Sequence, residues 1–257
     1  MCKGNTKGVI VILNEQKVFF MKIDILGVKI DDVTMDEALK KVYNWLALQG
    51  LALQEEKHFI VTPNPEFIVD AQNNPGFKKI LNSADLSIPD GMGLKLSGKI
   101  KNTTPGVDLM EKLVEMSAKR GFSVAFLGGR NQTAEKTAEC LKIKYPKLKV
   151  TFAESGGEVD REGRLPPRNF PPTDILFVAF GHPKQEYWIA QNLPHIPVKV
   201  AMGVGGSLDY LSGIVPRATY FLRSLGLEWL FRLTNQPWRI KRQLKLFKYL
   251  FLLLTKR

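Results

Sequence analysis

The chain has 257 residues, 44% of them hydrophobic and 24% charged, which suits an ordinary globular core and excludes a disordered or fibrous polymer. Its two cysteines, Cys2 and Cys140, exclude a disulfide framework and a cysteine metal site, and fit a reducing compartment. A formal net charge of +12 calls for an anionic partner: nucleic acid, a phosphorylated ligand or an acidic membrane surface.

Residues 1–20 carry a short apolar run, Val9 to Leu13, too short to span a bilayer and followed by no small-residue cleavage site. They read as a strand-like or disordered extension, with Met21 opening the organised sequence. Lys22 to Ile30 alternates as a strand, and Thr34-Met-Asp-Glu37 is a capping box before a helix with Ala38, Val42, Trp45 and Leu46 on one face. His58 to Val61 reads as a buried strand, Asn64-Pro65 as an N-cap and first helical position, and Ala84 to Ile88 as the next strand, ending in Pro89-Asp90-Gly91. A pass of about 30 residues is the size of a βαβ unit with parallel strands. Thr62, Asn64 and Asp90 are therefore expected at one edge of one sheet, where open α/β folds bind ligands.

The loop from Ser97 to Pro105, with Lys95, Lys99 and Lys101, reads as solvated, a phosphate contact being the other reading, and leads to a helix, Gly106 to Arg120, stopped by Gly121. Phe122 to Leu127 is a strand ending in Gly128-Gly129 before a helix from Asn131 to Lys144. The amides of that turn can hold a phosphate, and a ligand-free tight turn explains the glycines equally well. Lys149 to Phe152 is a short strand, and the prolines of Gly156 to Thr173 exclude a long helix there. Asp174 to Phe180 is a strand followed by Gly181-His-Pro-Lys184-Gln185-Glu186 and a helix to Asn192. Val198 to Met202 is a strand ending in Gly203-Val-Gly205-Gly206-Ser-Leu-Asp209, where glycine lets backbone approach a ligand. Residues 21–215 thus read as an α/β, Rossmann-like domain, with a mostly parallel sheet, helices on both faces, and strand ends at Thr62, Asp90, Gly128, Gly181 and Gly203 on one rim.

Residues 216–257 differ in composition. Arg217, Arg223, Arg232, Arg239, Lys241, Arg242, Lys245, Lys248, Lys256 and Arg257 stand against a single acid, Glu228. Leu244, Phe247, Leu250, Phe251 and Leu254 recur at helical spacing, with Lys241, Lys245 and Lys248 toward the other side. This is a basic amphipathic appendage suited to an anionic membrane surface, where each basic residue contributes on the order of 1 kcal/mol. A C-terminal helix packed on the domain with a charged outer face is the other reading. Nucleic acid is set aside, because no basic patch interleaved with aromatics lies outside the tail. His58, His182 and His195 lack ligand spacing and read as structural or surface residues, and no D-x-D pair exists to clamp a metal on a nucleotide diphosphate. Neither a metal site nor a bound cofactor is expected.

In chain order, T-P-N-P-E, I-P-D-G-M-G, F-L-G-G, G-H-P-K-Q-E, G-V-G-G-S-L-D and G-L-E-W-L-F-R-L resemble the WecG/TagA/CpsF family of bacterial glycosyltransferases, over roughly Ile23 to Arg242. The resemblance implies a metal-independent, inverting transferase with a membrane-associating appendage. It would move a sugar, N-acetylmannosamine or a relative such as glucose or a uronic acid, from a UDP-sugar to a polyprenyl-diphosphate-linked acceptor at the cytoplasmic membrane face. By motif match Asp90 would be the general base, with Thr62 and Asn64 beside the sugars; helix capping competes for Asn64. Gly128, Gly129, Gly181, Lys184, Gln185, Glu186, Gly203, Gly205, Gly206 and Asp209 would hold the nucleotide sugar, Lys184 offsetting the leaving diphosphate. Arg217, Arg223, Arg232, Arg239, Lys241, Arg242 and Lys245 would meet the lipid diphosphate or membrane.

Two features depart from the family pattern. Asn102, Thr103 and Thr104 stand before Pro105-Gly-Val-Asp108 where many relatives have an Arg, and Arg164 to Pro172 is proline-rich where relatives tend to have a helix. A dinucleotide-dependent oxidoreductase and a non-catalytic peripheral membrane protein stay open as other classes, as does a homo-oligomer.

Overall fold

Lys22 to Ile30 is two strands, because Leu26-Gly27 takes positive φ at both residues (54° and 84°) and turns the chain back as a tight hairpin. A computed structural model describes residues 22–48, 56–157, 159–160, 164, 169–219, 221–222, 227–235, 237 and 240–255, leaving residues 1–21 outside. The hairpin strands are β1 (Lys22–Ile25) and β2 (Val28–Asp31), and α1 (Met35–Ala47) starts at the expected capping box of Thr34 and Glu37.

Then follow β3 (His58–Val61), α2 (Pro65–Asn73), α3 (Pro75–Ser83) and β4 (Leu86–Ser87). The helical region splits because Pro75 has no N–H, while Asn74 leaves the helical conformation and caps α3 by accepting the Phe77 amide at 2.9 Å. A 3₁₀ helix (Met92–Ser97) precedes α4 (Gly106–Arg120) and β5 (Ser123–Gly128). The chain continues through α5 (Thr133–Lys144), β6 (Lys149–Glu154), β7 (Thr173–Ala179), α6 (Lys184–Asn192), β8 (Val198–Gly203) and α7 (Ser207–Leu211). Two further helices, α8 (Glu228–Asn235) and α9 (Ile240–Thr255), belong to the basic tail.

The main sheet has six parallel strands in the order β4-β3-β8-β7-β5-β6. Its middle strands are buried on both sides, which is why Ile175 to Val178 and Val200 to Met202 are continuous apolar runs. One core lies under β1–β2, α2, α3, α6 and α9, and a second under α1, α4, α5 and α7. Helices thus cover both faces of a Rossmann-like sheet. The chain leaves β3 for α2 on the first face and β8 for α7 on the second. Neighbouring strands whose exits diverge leave a crevice at their C-terminal ends, the usual ligand position in such sheets.

The tail helix α9 closes the first core with two fully engaged residues, Tyr249 and Leu252. Burial pushes the Tyr249 phenol up to about 12, with the Ser97 hydroxyl acting against it. Three elements meet at Gly93 of the 3₁₀ helix: a Cβ there would stand 2.6 Å from the Pro65 ring of α2 and 3.5 Å from Leu246 of α9. A proline ring has no rotamer to yield. Gly93→Ala is therefore expected to lower stability by about 1–3 kcal/mol through overpacking, read as a fall in the urea midpoint.

Candidate active site

Thr62, the first residue beyond β3, is buried and its hydroxyl donates to the Gly203 carbonyl at the end of β8 over 3.4 Å. Gly106, the first residue of α4, packs on it so closely that a Cβ would lie 3.1 Å from the Thr62 methyl. Asn64 caps α2, its Oδ1 accepting the amides of Glu66 (2.9 Å) and Phe67 (3.2 Å). Its carboxamide oxygen is thereby committed, and only the NH₂ end is left to serve a ligand. Asp90 continues the parallel pairing beyond β4, its amide donating to the Pro63 carbonyl at 2.9 Å. Its Oδ1 accepts the Gly106 amide at 3.2 Å. The head of α4 has no side-chain cap of its own, since Pro105 occupies that position, so Asp90 supplies one from another element. Thr62, Asn64 and Asp90 do share one rim.

The opposite wall comes from α6 and the turn after β8. Gln185 and Glu186 are both buried, and Gly203 admits them: a Cβ there would be 2.8 Å from the Gln185 amide nitrogen and 3.0 Å from the Glu186 Oε1. Gln185 Nε2 donates to Glu186 Oε1 (2.7 Å), while its Oε1 accepts the Gly205 amide (3.0 Å), which ties α6 to the Gly203–Gly206 turn. Glu186 Oε2 is buried without a hydrogen-bond partner among the described residues. Burial pushes this carboxyl up to about 7, against the opposing pull of His182 and the Gln185 amide. Gly205 needs its positive φ of 51°, Gly206 precedes α7, and Asp209 lies in the first turn of that helix.

Other expected nucleotide contacts have local explanations. Gly128 (φ 105°) would place a Cβ 2.7 Å from the Ala179 backbone, and Gly129 (φ 81°) one 2.8 Å from Thr133, so strand packing and the tight turn account for both without a ligand. Lys184 was expected to face the leaving diphosphate; instead its ammonium donates to the Val159 carbonyl at 2.6 Å, pinning the β6–β7 connection. Gly181 (φ 76°) has no atom within 4 Å of a Cβ position and stands before the uncapped first turn of α6.

The tail reaches this rim at two places. Arg217 Nη1 pairs with Asp108 in the first turn of α4 at 2.6 Å, and its Nε with Glu228 at 3.4 Å. Burial disfavours the charged guanidinium, but the two carboxylates outweigh it and raise its pKa. Its Nη2 is buried without a hydrogen-bond partner among the described residues. Lys245 was expected on the lipid side of α9, and this is corrected: its ammonium bonds to Asp70 at 2.7 Å and Glu66 at 3.2 Å, both on α2. His182 joins the cluster, its Nε2 2.7 Å from Asp70 and its ring stacked on Phe67 at 4.7 Å. Glu66, Asp70 and His182 could together surround a cation, and the Lys245 ammonium is the one bonded there. Burial works against ionisation of Asp70, and the His182 and Lys245 hydrogen bonds more than reverse it, holding its pKa below the usual carboxylate range.

Arg223 and Arg239 lie outside the described residues, as do the side chains of Arg232, Lys241 and Arg242. The expected apolar stripe of α9 faces away from the protein, Leu244, Phe247, Phe251 and Leu254 being 58–73% exposed. Sequence reasoning missed the Glu66–Asp70–His182–Lys245 network; the i,i+4 spacing of the two acids was its only local signal.

The rim therefore brings together a carboxylate at a helix head, a buried carboxyl near neutrality and backbone amides around the β8 turn. Glu186 yields a prediction about stability. Its folded pKa of about 7 lies above the ordinary 4.5, so the neutral form is favoured by folding, and that advantage is present below pH 4.5 and lost as pH rises through about 7. Glu186→Gln, which keeps the Oε1 acceptor and cannot ionise, is expected to gain on the wild type by about 3 kcal/mol between pH 4.5 and 8, measured by urea unfolding across that range.

Two comparisons bear on this crevice. The family model described as glycosyl transferase WecG/TagA/CpsF matches residues 23–257. Among curated proteins, an N-acetylglucosaminyldiphosphoundecaprenol N-acetyl-β-D-mannosaminyltransferase of Staphylococcus aureus strain MRSA252 is 33% identical over 226 residues, 85% of this chain and 86% of its own. The protein of the same description from strain NCTC 8325 / PS 47 has the same identity and coverage. The turn after β3, the first strand of the main sheet, is Thr62-Pro-Asn64 and carries no glycine fingerprint, so the oxidoreductase reading finds no support. With its rim of Thr62, Asn64 and Asp90 facing Gln185 and the β8 turn, the chain belongs to the WecG/TagA/CpsF family and is a glycosyltransferase.

Proposed function

We propose that this glycosyltransferase moves a sugar, N-acetylmannosamine or a close relative, from a UDP-sugar to a polyprenyl-diphosphate-linked N-acetylglucosamine, with inversion and without a metal. The acceptor follows the description of the curated relatives, and the product would enter bacterial surface polysaccharide or teichoic acid synthesis. The observation that carries the reading is Asp90, a carboxylate held at the head of α4 on the rim of strand ends that also carries Thr62 and Asn64.

Inversion requires one base on the acceptor side, taking the proton from the attacking hydroxyl as it displaces the diphosphate. The Gly106 amide occupies one lone pair of the Asp90 carboxylate, which has about four acceptor sites, so capping and base catalysis are compatible. The uncapped α6 head and the Gly203–Gly206 turn would receive the donor nucleotide, their amides offsetting diphosphate charge where a D-x-D metal clamp is lacking. Arg217, which pairs with Asp108 in the first turn of α4 and has a buried Nη2 without a hydrogen-bond partner among the described residues, would add positive charge on the acceptor side of the rim.

Among the described residues no helix is long and apolar enough to cross a membrane. The exposed stripe of α9 would instead lie in the interface of an anionic bilayer on the cytoplasmic side, with exposed Lys248 on the same helix. A peripheral location would bring the lipid acceptor to Asp90.

Transfer of labelled N-acetylmannosamine to a polyprenyl-diphosphate-linked N-acetylglucosamine is expected to persist in EDTA and to fall by about 10²–10⁴ in kcat for Asp90→Asn. Full activity in that variant would remove Asp90 as the base, and loss in EDTA would remove the metal-free mechanism. On vesicles containing anionic lipid, the wild type is expected to sediment at low salt and release as ionic strength rises, whereas Phe247→Glu with Phe251→Glu stays in the supernatant. Unchanged sedimentation of the double variant would exclude the α9 stripe as the membrane contact.

A further inference from the structure

A cavity of about 460 Å³ opens beside the tail helix α9, and none of its lining residues belongs to the rim of Thr62, Asn64 and Asp90. The β1–β2 turn, the end of the 3₁₀ helix and the last turns of α9 enclose it, with Ile25, Leu26, Leu96, Leu253 and Leu254 as its apolar lining and Lys99 at its edge. Its volume is within the range of about 300–1,000 Å³ found for sites that hold drug-sized ligands. That is room for a few isoprene units, the rest of a long chain continuing into a bilayer.

The hairpin turn is built in an unusual way. Two-residue turns with positive φ at both positions favour Asn or Asp followed by Gly, yet here the first position is Leu26 at φ 54°. The strain is held by neighbours: Gln72 Nε2 donates to the Leu26 carbonyl at 2.8 Å, and Lys78 approaches it at 3.5 Å. What the strained residue contributes, besides contact with the first core, is an apolar side chain to the cavity.

The cavity also stands at a useful distance from Asp90. The six-residue 3₁₀ helix runs from just beyond Asp90 to Ser97 at the cavity, about 12 Å at 2.0 Å per residue. A sugar followed by two phosphates spans a length of the same order. Lys95 belongs to this helix and Lys99 lines the cavity, its ammonium donating to the Asp24 carbonyl at 3.0 Å; no acid occurs in sequence between Asp90 and Asp108, and Asp24 is the acid in the cavity lining. At its far end the exposed stripe of α9 begins with Leu254, so the cavity is continuous with the surface proposed to meet the bilayer.

We propose that this cavity binds the first isoprene units of the lipid acceptor, so that the acceptor lies along the 3₁₀ helix with its sugar hydroxyl at Asp90, its diphosphate beside Lys95 and Lys99, and its chain between the β1–β2 turn and α9. The inference rests on the acceptor reading given above.

The test uses the full-length enzyme in detergent micelles, with two synthetic acceptors that share the sugar diphosphate and differ in chain length, one long polyprenyl and one of a single isoprene unit. The wild type should show a lower KM for the long chain. Leu26→Asn, which suits the turn and withdraws an apolar wall, should raise the long-chain KM by about 10-fold, toward the short-chain value, the equivalent of about two buried methylene groups. Leu96→Asn should do the same, and the KM for the donor should not move in either variant. Equal KM values for both acceptors in the wild type, or an unchanged long-chain KM in both variants, would overturn the proposal while leaving the acceptor reading intact. No transfer to either acceptor would overturn both. Sedimentation with acceptor-free vesicles adds an arm: binding retained by Leu26→Asn supports a site for the acceptor chain, and binding lost in step with KM would assign the surface to bilayer lipid instead.

Discussion

The hydrogen bond from the Gly106 amide to the Asp90 carboxylate joins the two parts of the site that the chain order keeps apart. A helix that begins on Pro105-Gly106 has orphan amides and no capping side chain, and an anion is the natural partner for that end. Asp90 meets this need from the turn after β4, and in doing so is held on the rim beside Thr62. The same helix head receives Arg217 through Asp108, so the beginning of the tail is tied to the turn that carries the proposed base. Capping does not conflict with the proposed role as base, because a carboxylate that accepts the Gly106 amide has further acceptor sites.

The second junction lies between α9 and α2. Lys245 brings a cation to Asp70 and Glu66, and His182 closes the cluster from the turn that leads into α6. A network whose members are partly buried costs more when broken than its formation contributes, since each remaining charge is left desolvated. It therefore acts chiefly to hold α9 in one orientation, with Tyr249 and Leu252 inward and the Phe247–Phe251 stripe outward. That orientation also completes the cavity at the end of the 3₁₀ helix, so one ion cluster governs both which face of α9 is exposed and the shape of the cavity proposed for the isoprenoid.

The order and type of the elements in the α/β domain were legible in the chain because buried parallel strands must be continuous apolar runs and helix heads carry recognisable capping residues. The hairpin at Leu26-Gly27 was not, since leucine is a poor signal for a turn with positive φ. Among the site residues, Asp90, Thr62 and Asn64 could be placed together from the length of one βαβ pass. The glycines at 128 and 129 and Lys184 could not be interpreted so well: a glycine required by a neighbouring backbone looks the same in sequence as one required by a phosphate, and a long lysine can turn to any acceptor within reach.

By itself the sequence determined the sheet-and-helix alternation, the rim on which Asp90 lies and the family to which the motifs belong, because these follow from periodicity, capping and local spacing. Tertiary structure alone decided that Lys245 faces inward, that Glu186 is buried with its carboxyl near neutrality, and that α9 is apolar on two sides, one docked and one exposed. Each of these depends on a partner more than a hundred residues away or on complete removal from water, as with Asp70 for Lys245 and the 3₁₀ helix for Tyr249. Such contacts leave no period in the chain, and only the packed molecule brings their two halves together.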